Sequence, residues 1–235
     1  MRIFITGDKH GNFELVEDFV KTYKTTLEDY LIVLGDGGVN YLGYEDYFLK
    51  EKLSNLPITF VFIHGNHEIR PQNIPSYELK IFSNDNIAGG FYQEPRYPNL
   101  LFARRGPFWI RDKRFLVCDG AYSIDKDYRT LMGWPWWVDE QMNGDDKDFI
   151  RSTISMSPQF DFILSHAAPL SHEPRHLFLT GFDFPVDNST PIFLDEVYDS
   201  IDKEYLTQWF FGHYHGDEKL PDKFTILYNT FEQVV

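Results

Sequence analysis

A chain of 235 residues, 43% hydrophobic and 25% charged, is long enough for a sizeable core and has the balance of a soluble globular protein. Its formal net charge of −14 speaks against a broad basic surface for nucleic-acid backbone, so large nucleic acid is the less expected partner. Cys118 is the single cysteine, which leaves no internal disulfide, and no run reaches the roughly 18 apolar residues of a membrane span; a cytoplasmic protein with no membrane partner is expected.

The first third alternates strand and helix signals. Residues 2–6 read as a strand, and residues 13–23 carry Phe13, Val16, Phe19, Val20 and Tyr23 at helical spacing. A buried strand follows at 31–34, then a helix over 44–53 with Tyr44, Tyr47 and Phe48 on one face. Pro57 introduces a third strand at 58–63. That order, with continuous apolar strands, predicts a parallel sheet covered on both faces.

Between 71 and 159 the pattern loosens. Short strands are expected at 100–103, 108–111 and 114–119, the last two joined by the polar turn 111–114. A loop-rich stretch over 120–144 holds Trp134, Trp136 and Trp137 around Pro135, and a helix is expected over 145–155. The doubly wound style then returns with a strand at 161–165, a helix at 191–201 and strands at 208–211 and 223–228. The whole of 1–235 thus reads as one domain, with a loop-rich aromatic insertion around 71–159.

Five polar motifs each end a strand-like run: Gly7-Asp8-Lys9-His10, Gly35-Asp36-Gly37, Gly65-Asn66-His67-Glu68, Ser165-His166 and Gly212-His213-Tyr214-His215. In open α/β sheets functional groups gather beyond the carboxyl ends of the strands, so these motifs read as one assembled site. Asp8 and His10 sit two apart and can be aimed at one ion by a turn. Asp36 has two oxygens and can bridge two cations, Asn66 offers a neutral amide oxygen, and His166, His213 and His215 supply imidazole nitrogens. Mixed nitrogen and oxygen donors without thiolate suit Mn, Fe or Zn in an open site rather than a structural Cys-bound zinc. His64 reads as a core histidine and Glu68 as an orienter of a ligand. His172 and His176 read as loop residues outside the site.

This ordered set resembles the signature of the calcineurin-like metallophosphoesterase family, Asp-x-His, Gly-Asp, Gly-Asn-His-(Glu/Asp), His and Gly-His-x-His, across Asp8 to His215. The resemblance implies an α/β fold, a four-layer αββα sandwich of two mixed β-sheets flanked by helices. It implies two divalent metal ions, Mn foremost, one held by Asp8, His10 and His215 and the other by Asn66, His166 and His213, with Asp36 bridging. A hydroxide between the ions would attack phosphorus, and His67 would act as the acid that supplies a proton or a strong donor to the leaving oxygen. Phosphodiester or small nucleotide substrates are the first expectation. A serine/threonine phosphatase comes second, because Gly35-Asp36 is followed by Gly37-Gly38-Val39-Asn40 and lacks that subgroup's second Asp and its Arg. A non-catalytic scaffold of the same fold is the rival of another class. Residues 120–129 with Trp136, Trp137, Glu140 and Gln141 are similar to a bacterial and phage group within the family; on physical grounds Lys126 and Arg129 can grip phosphate oxygens, and Tyr122 and the tryptophans can stack on a base or aromatic leaving group.

Overall fold

The structure, a computed structural model, describes residues 1–178 and 186–235. Strands β1 (Ile3–Thr6), β2 (Tyr30–Val33) and β3 (Thr59–Phe62) lie parallel and adjacent, linked by helices α1 (Glu14–Tyr23) and α2 (Tyr47–Ser54). Their side chains alternate between two cores, as the two-residue period of a strand requires. Phe4, Leu31, Val33, Phe60 and Phe62 meet Phe13, Val16, Phe19 and Val20 of the α1 region, whereas Ile3, Ile5, Ile32 and Val61 point the other way.

The strands that receive that second face come from later in the chain. A hairpin of β4 (Glu78–Ser83) and β5 (Ile87–Gln93) precedes the long β6 (Leu100–Ile110) and β7 (Lys113–Cys118). After the short α3 (Lys126–Leu131) and α4 (Gly144–Met156) come β8 (Phe162–Ser165), α5 (Ser189–Ser200) and β9 (Gln208–Phe211). The chain closes with β10 (Glu218–Leu220), β11 (Phe224–Ile226) and β12 (Phe231–Gln233). Phe115, Val117, Phe162, Leu164 and Phe210 face the first leaf. Leu116, Ile163, Trp209 and Phe211 face Ile150 and Ile154 of α4 and Phe193, Leu194 and Val197 of α5. Helices, leaf, leaf and helices make the four-layer αββα sandwich.

Hydrogen bonding makes the two leaves one mixed sheet, in the order β10-β11-β9-β8-β7-β6-β3-β2-β1-β12. The join is β6, whose first residues pair with β3 and whose last pair with β7, so the leaves part along a single strand. Two separate strands, 100–103 and 108–111, were expected where β6 runs unbroken. Within the strand Gly106 takes φ +107, and the mostly buried Arg105 is paired with Asp119 rather than turned to water. Residues 71–159 therefore contribute the middle of the sheet, while α3 falls inside the stretch expected as loop.

Helix α2 also departs from its pattern. A 3-10 turn at Gly43–Asp46 delays α2 to Tyr47, and Tyr47 and Phe48 face solvent. The buried face instead carries Leu53 and Lys50, whose ammonium pairs with Glu94 at 2.7 Å and lies 4.9 Å from the Tyr77 ring centre. The side chain of Tyr44 lies outside the described residues. Among the described residues no helix is long and apolar enough to cross a membrane.

A buried ion network fastens the leaf junction. Asp119, just past β7, accepts from Arg105 Nε at 2.6 Å and from Arg70 Nη1 at 3.3 Å, and Arg105 also pairs with Asp146 at the start of α4. Burial alone would raise the Asp119 carboxyl, but the two guanidiniums outweigh it and hold it at about 2. Removing one partner of a buried network strands the others, so Asp119→Ala should cost about 3–5 kcal/mol in urea unfolding at pH 7. Because the folded value is depressed, this stabilisation is complete above the unfolded carboxyl value near 3.9 and fades as pH falls toward 2. The gap between wild type and Asp119→Asn should accordingly narrow by roughly 1 kcal/mol between pH 5 and pH 3.

Candidate metal centre

The five motifs occupy the loops after β1, β2, β3, β8 and β9, all at the carboxyl ends of parallel strands. The turns are sharp. His10, Asp36, His213 and His215 take left-handed backbone conformations (φ +44, +46, +66 and +51), a clustering of local strain that is usual at functional sites. Space explains two of the glycines. A side-chain carbon at Gly65 would overlap the Asp36 carboxylate, and one at Gly212 would overlap that of Asp8.

The structure brings all seven expected ligand residues together. His10 Nε2 and His215 Nε2 are 3.0 Å apart, and Asp8 Oδ2 is 3.4 Å from the latter and 3.9 Å from the former. On the other side His166 Nε2 is 2.9 Å from Asn66 Oδ1 and 3.4 Å from Asp36 Oδ2, and the His213 ring lies 5.0 Å from that of His166. Donor atoms about 2.1 Å from one ion at right or tetrahedral angles stand roughly 3.0–3.4 Å apart, so most of these spacings are those of a chelate. Asp8, His10 and His215 form one group able to hold an ion, and Asp8, Asp36 and His166 form a second that shares Asp8.

Orientation is supplied from behind. His166 Nδ1 donates to the Leu34 carbonyl at 2.6 Å, which turns Nε2 toward the centre. Asn66 Nδ2 donates to Ser123 Oγ at 2.8 Å, Ser123 Oγ to Glu140 Oε2 at 2.6 Å, and Trp136 Nε1 to the same carboxylate oxygen at 2.8 Å. The amide of Asn66 is thereby aimed with its oxygen into the site. Glu68 Oε1 accepts from Gly65 N at 2.8 Å and Asp36 N at 3.1 Å, pinning one loop to another; burial and the nearby Asp36 charge push its carboxyl up to about 8.

Electrostatics carry the same message. Asp8 and Asp36 are buried, which opposes their charge, yet the surrounding imidazoles and backbone donors keep both carboxyls below the usual range. His166 is pushed up to about 10: burial opposes its charge, but Asp36 and Asp8 prevail. Burial, reinforced by His166, drives His213 down to about 3. A proton on His166 thus stands where cationic charge is demanded.

His67 lies at the edge of this centre, its ring 5.6 Å from that of His10 and nearly perpendicular to it, its backbone N–H donating to Asp36 Oδ1 at 2.8 Å. Burial lowers its basicity; the Asp36 charge opposes that and the Arg129 charge adds to it. Arg129, expected at the phosphate, is instead 1% exposed, with Nη1 2.7 Å from His67 Nδ1. The Tyr41 and Trp137 rings flank its guanidinium. Lys126 sits over the Trp136 ring at 4.2 Å, and Tyr122 is partly buried near Asp127 and Glu140.

Other histidines stay apart. His64 is buried with Nε2 2.9 Å from the Glu68 carbonyl, while His172 and His176 pair with Asp222 and Glu218. Sequence reasoning passed over Ser123, and over Lys9, which is buried beside Asp8. Burial lowers its ammonium to about 8, and it donates to the Tyr228 carbonyl at 2.5 Å. Its place inside Asp8-Lys9-His10 was the available signal.

Comparison with curated proteins gives no match. The family model for calcineurin-like phosphoesterase matches residues 1–217, a span that takes in every motif of the centre. The chain therefore belongs to the calcineurin-like phosphoesterase family, whose members hydrolyse phosphoesters with the help of divalent metal ions.

Proposed function

We propose that this chain is a dinuclear phosphoesterase acting on phosphodiesters or small nucleotides. The observation that carries the reading is the pair of buried carboxylates, Asp8 and Asp36, with Asn66 and the imidazoles of His10, His166 and His215 at chelating spacings and the ring of His213 beside that of His166. Asp8, His10 and His215 would hold one ion and Asn66, His166 and His213 the other. Asp36, with Oδ2 3.4 Å from His166 Nε2, would bridge them as the family signature implies, with Asp8 within reach of both groups. Divalent ions there supply Lewis acidity, easing deprotonation of a water and neutralising phosphoryl charge. Nitrogen and oxygen donors without sulfur favour Mn, with Fe and Zn as alternatives.

The chain's own residues do the rest. The two carboxylates and the turned-in Asn66 fix the ion positions before substrate arrives, and His67 gives a hydrogen bond to the leaving oxygen. Lys126 and Tyr122 would meet the substrate from the segment after β7. The partly exposed rings of Tyr41, Trp136 and Trp137 lie on the same side of the chain as Arg129 and Lys126, which supports a base or other aromatic group on the ester.

Purified chain supplied with Mn should bind two ions and hydrolyse bis-p-nitrophenyl phosphate faster than p-nitrophenyl phosphate, and chelation should abolish both. Two bound ions with no turnover of either ester would mark a binding scaffold instead. Asp36→Asn should lose both ions together and at least about a hundredfold in rate, as expected when one carboxylate serves a two-ion clamp. Retention of two tight ions by metal analysis would remove Asp36 from the bridge. Loading must also expel the proton held by His166, so calorimetry at pH 7 in buffers of different ionisation enthalpy should register proton release, with affinity rising as pH rises.

A further inference from the structure

The contact between Arg129 and His67 fixes the direction of a hydrogen bond. A guanidinium has N–H donors and no acceptor, and it stays charged at any pH the fold survives. Across the 2.7 Å from Arg129 Nη1, His67 Nδ1 must therefore accept. A neutral imidazole carries one proton, which this contact assigns to Nε2, the only other ring nitrogen. An aspartate at the same place would select the opposite form, with Nδ1–H donating and an imidazolium stabilised. Here Gly37-Gly38-Val39-Asn40 provides no such carboxylate after Asp36.

Arg129 is built to hold this position. Its backbone N–H is tied to the Asp125 carbonyl at 2.8 Å, and its guanidinium carbon lies 5.9 Å and 5.7 Å from the Tyr41 and Trp137 ring centres. Nη2 is buried without a hydrogen-bond partner among the described residues. The charge is thus spent on the histidine rather than shared with a carboxylate at that nitrogen.

We propose that Arg129 is a positioning residue that commits His67 to the neutral, Nε2-protonated form, so that the leaving oxygen receives a hydrogen bond and not a proton. This rests on the phosphoesterase reading and narrows its substrate class. In the displacement, water oxygen forms the new P–O bond and its proton passes to solvent. The bond to the leaving oxygen breaks with its electron pair, and the anion departs hydrogen-bonded to Nε2–H, taking a proton from solvent afterwards. Leaving groups that are stable as anions, such as phenolates or the phosphate of an anhydride, suit that arrangement. A serine or threonine alkoxide does not.

The test uses the full chain loaded with diamagnetic Zn, imidazole ¹⁵N spectra, and a series of aryl phosphodiesters of graded leaving-group acidity. The His67 signals are assigned by their loss in His67→Gln. Wild type should show His67 protonated at Nε2 alone, and its rates should rise steeply with leaving-group acidity. Arg129→Met should shift the tautomer and lower kcat about 10–100-fold with KM changed less than about threefold, the usual scale for removing an orienting partner. Arg129→Lys, which keeps a pure donor, should restore the tautomer and part of kcat. An imidazolium or an Nδ1-protonated His67 in wild type overturns the proposal, as does an Arg129→Met chain with unchanged tautomer and kcat. If wild type hydrolyses none of the esters, the phosphoesterase reading fails on its own, while the spectra still decide the form of His67.

Discussion

Asp8 and Asp36 sit at the ends of neighbouring strands with almost no exposure, and burying two carboxylates so close together is the most demanding feature of the molecule. An uncompensated buried charge costs several kcal/mol, and two like charges cost more. The backbone N–H of His213 donates to both Asp8 oxygens, that of His67 to Asp36, and an imidazole lies against each carboxylate. The left-handed turns aim those groups inward, and the bare faces of Gly65 and Gly212 leave room for the carboxylates. The strain of the loops follows from the charge they surround.

The strand ends and their polar motifs could be read from local pattern, because a buried parallel strand is a short apolar run and its ligands follow within a few residues. What escaped was long-range compensation. The strands expected at 100–103 and 108–111 are one strand, with Arg105 between them paired to Asp119 and Asp146. The hairpin strand β5 was hidden by Gly89-Gly90, which carries no side-chain signal at its centre. Likewise α2 turned Lys50 inward, where hydrophobic spacing pointed to Tyr47 and Phe48, because Glu94 meets the ammonium. Arg129 was recognised as a residue with a task, but its partner lies 62 residues away and no local spacing names it.

The segment between β7 and α4 deserves its place beside the centre on physical grounds. Through Ser123 and Glu140 it turns the amide of Asn66, and through Arg129 it orients the ring of His67. Two consecutive residues of one loop, with different tasks, are thus set by one stretch of chain. The tryptophans support it: Trp136 donates to Glu140 and Trp137 flanks Arg129. Aromatic residues here form the rear wall of the site as well as its rim.

Because β6 is the single strand through which the two leaves are hydrogen-bonded, their far edges are held by the short link from β11 to β12 and by side chains that reach across. Asp8, His10, Asp36 and Asn66 hang from the first leaf, and His166, His213 and His215 from the second. An ion held by residues of both leaves would pin one leaf to the other, so its occupancy would add to the resistance of the sandwich to opening.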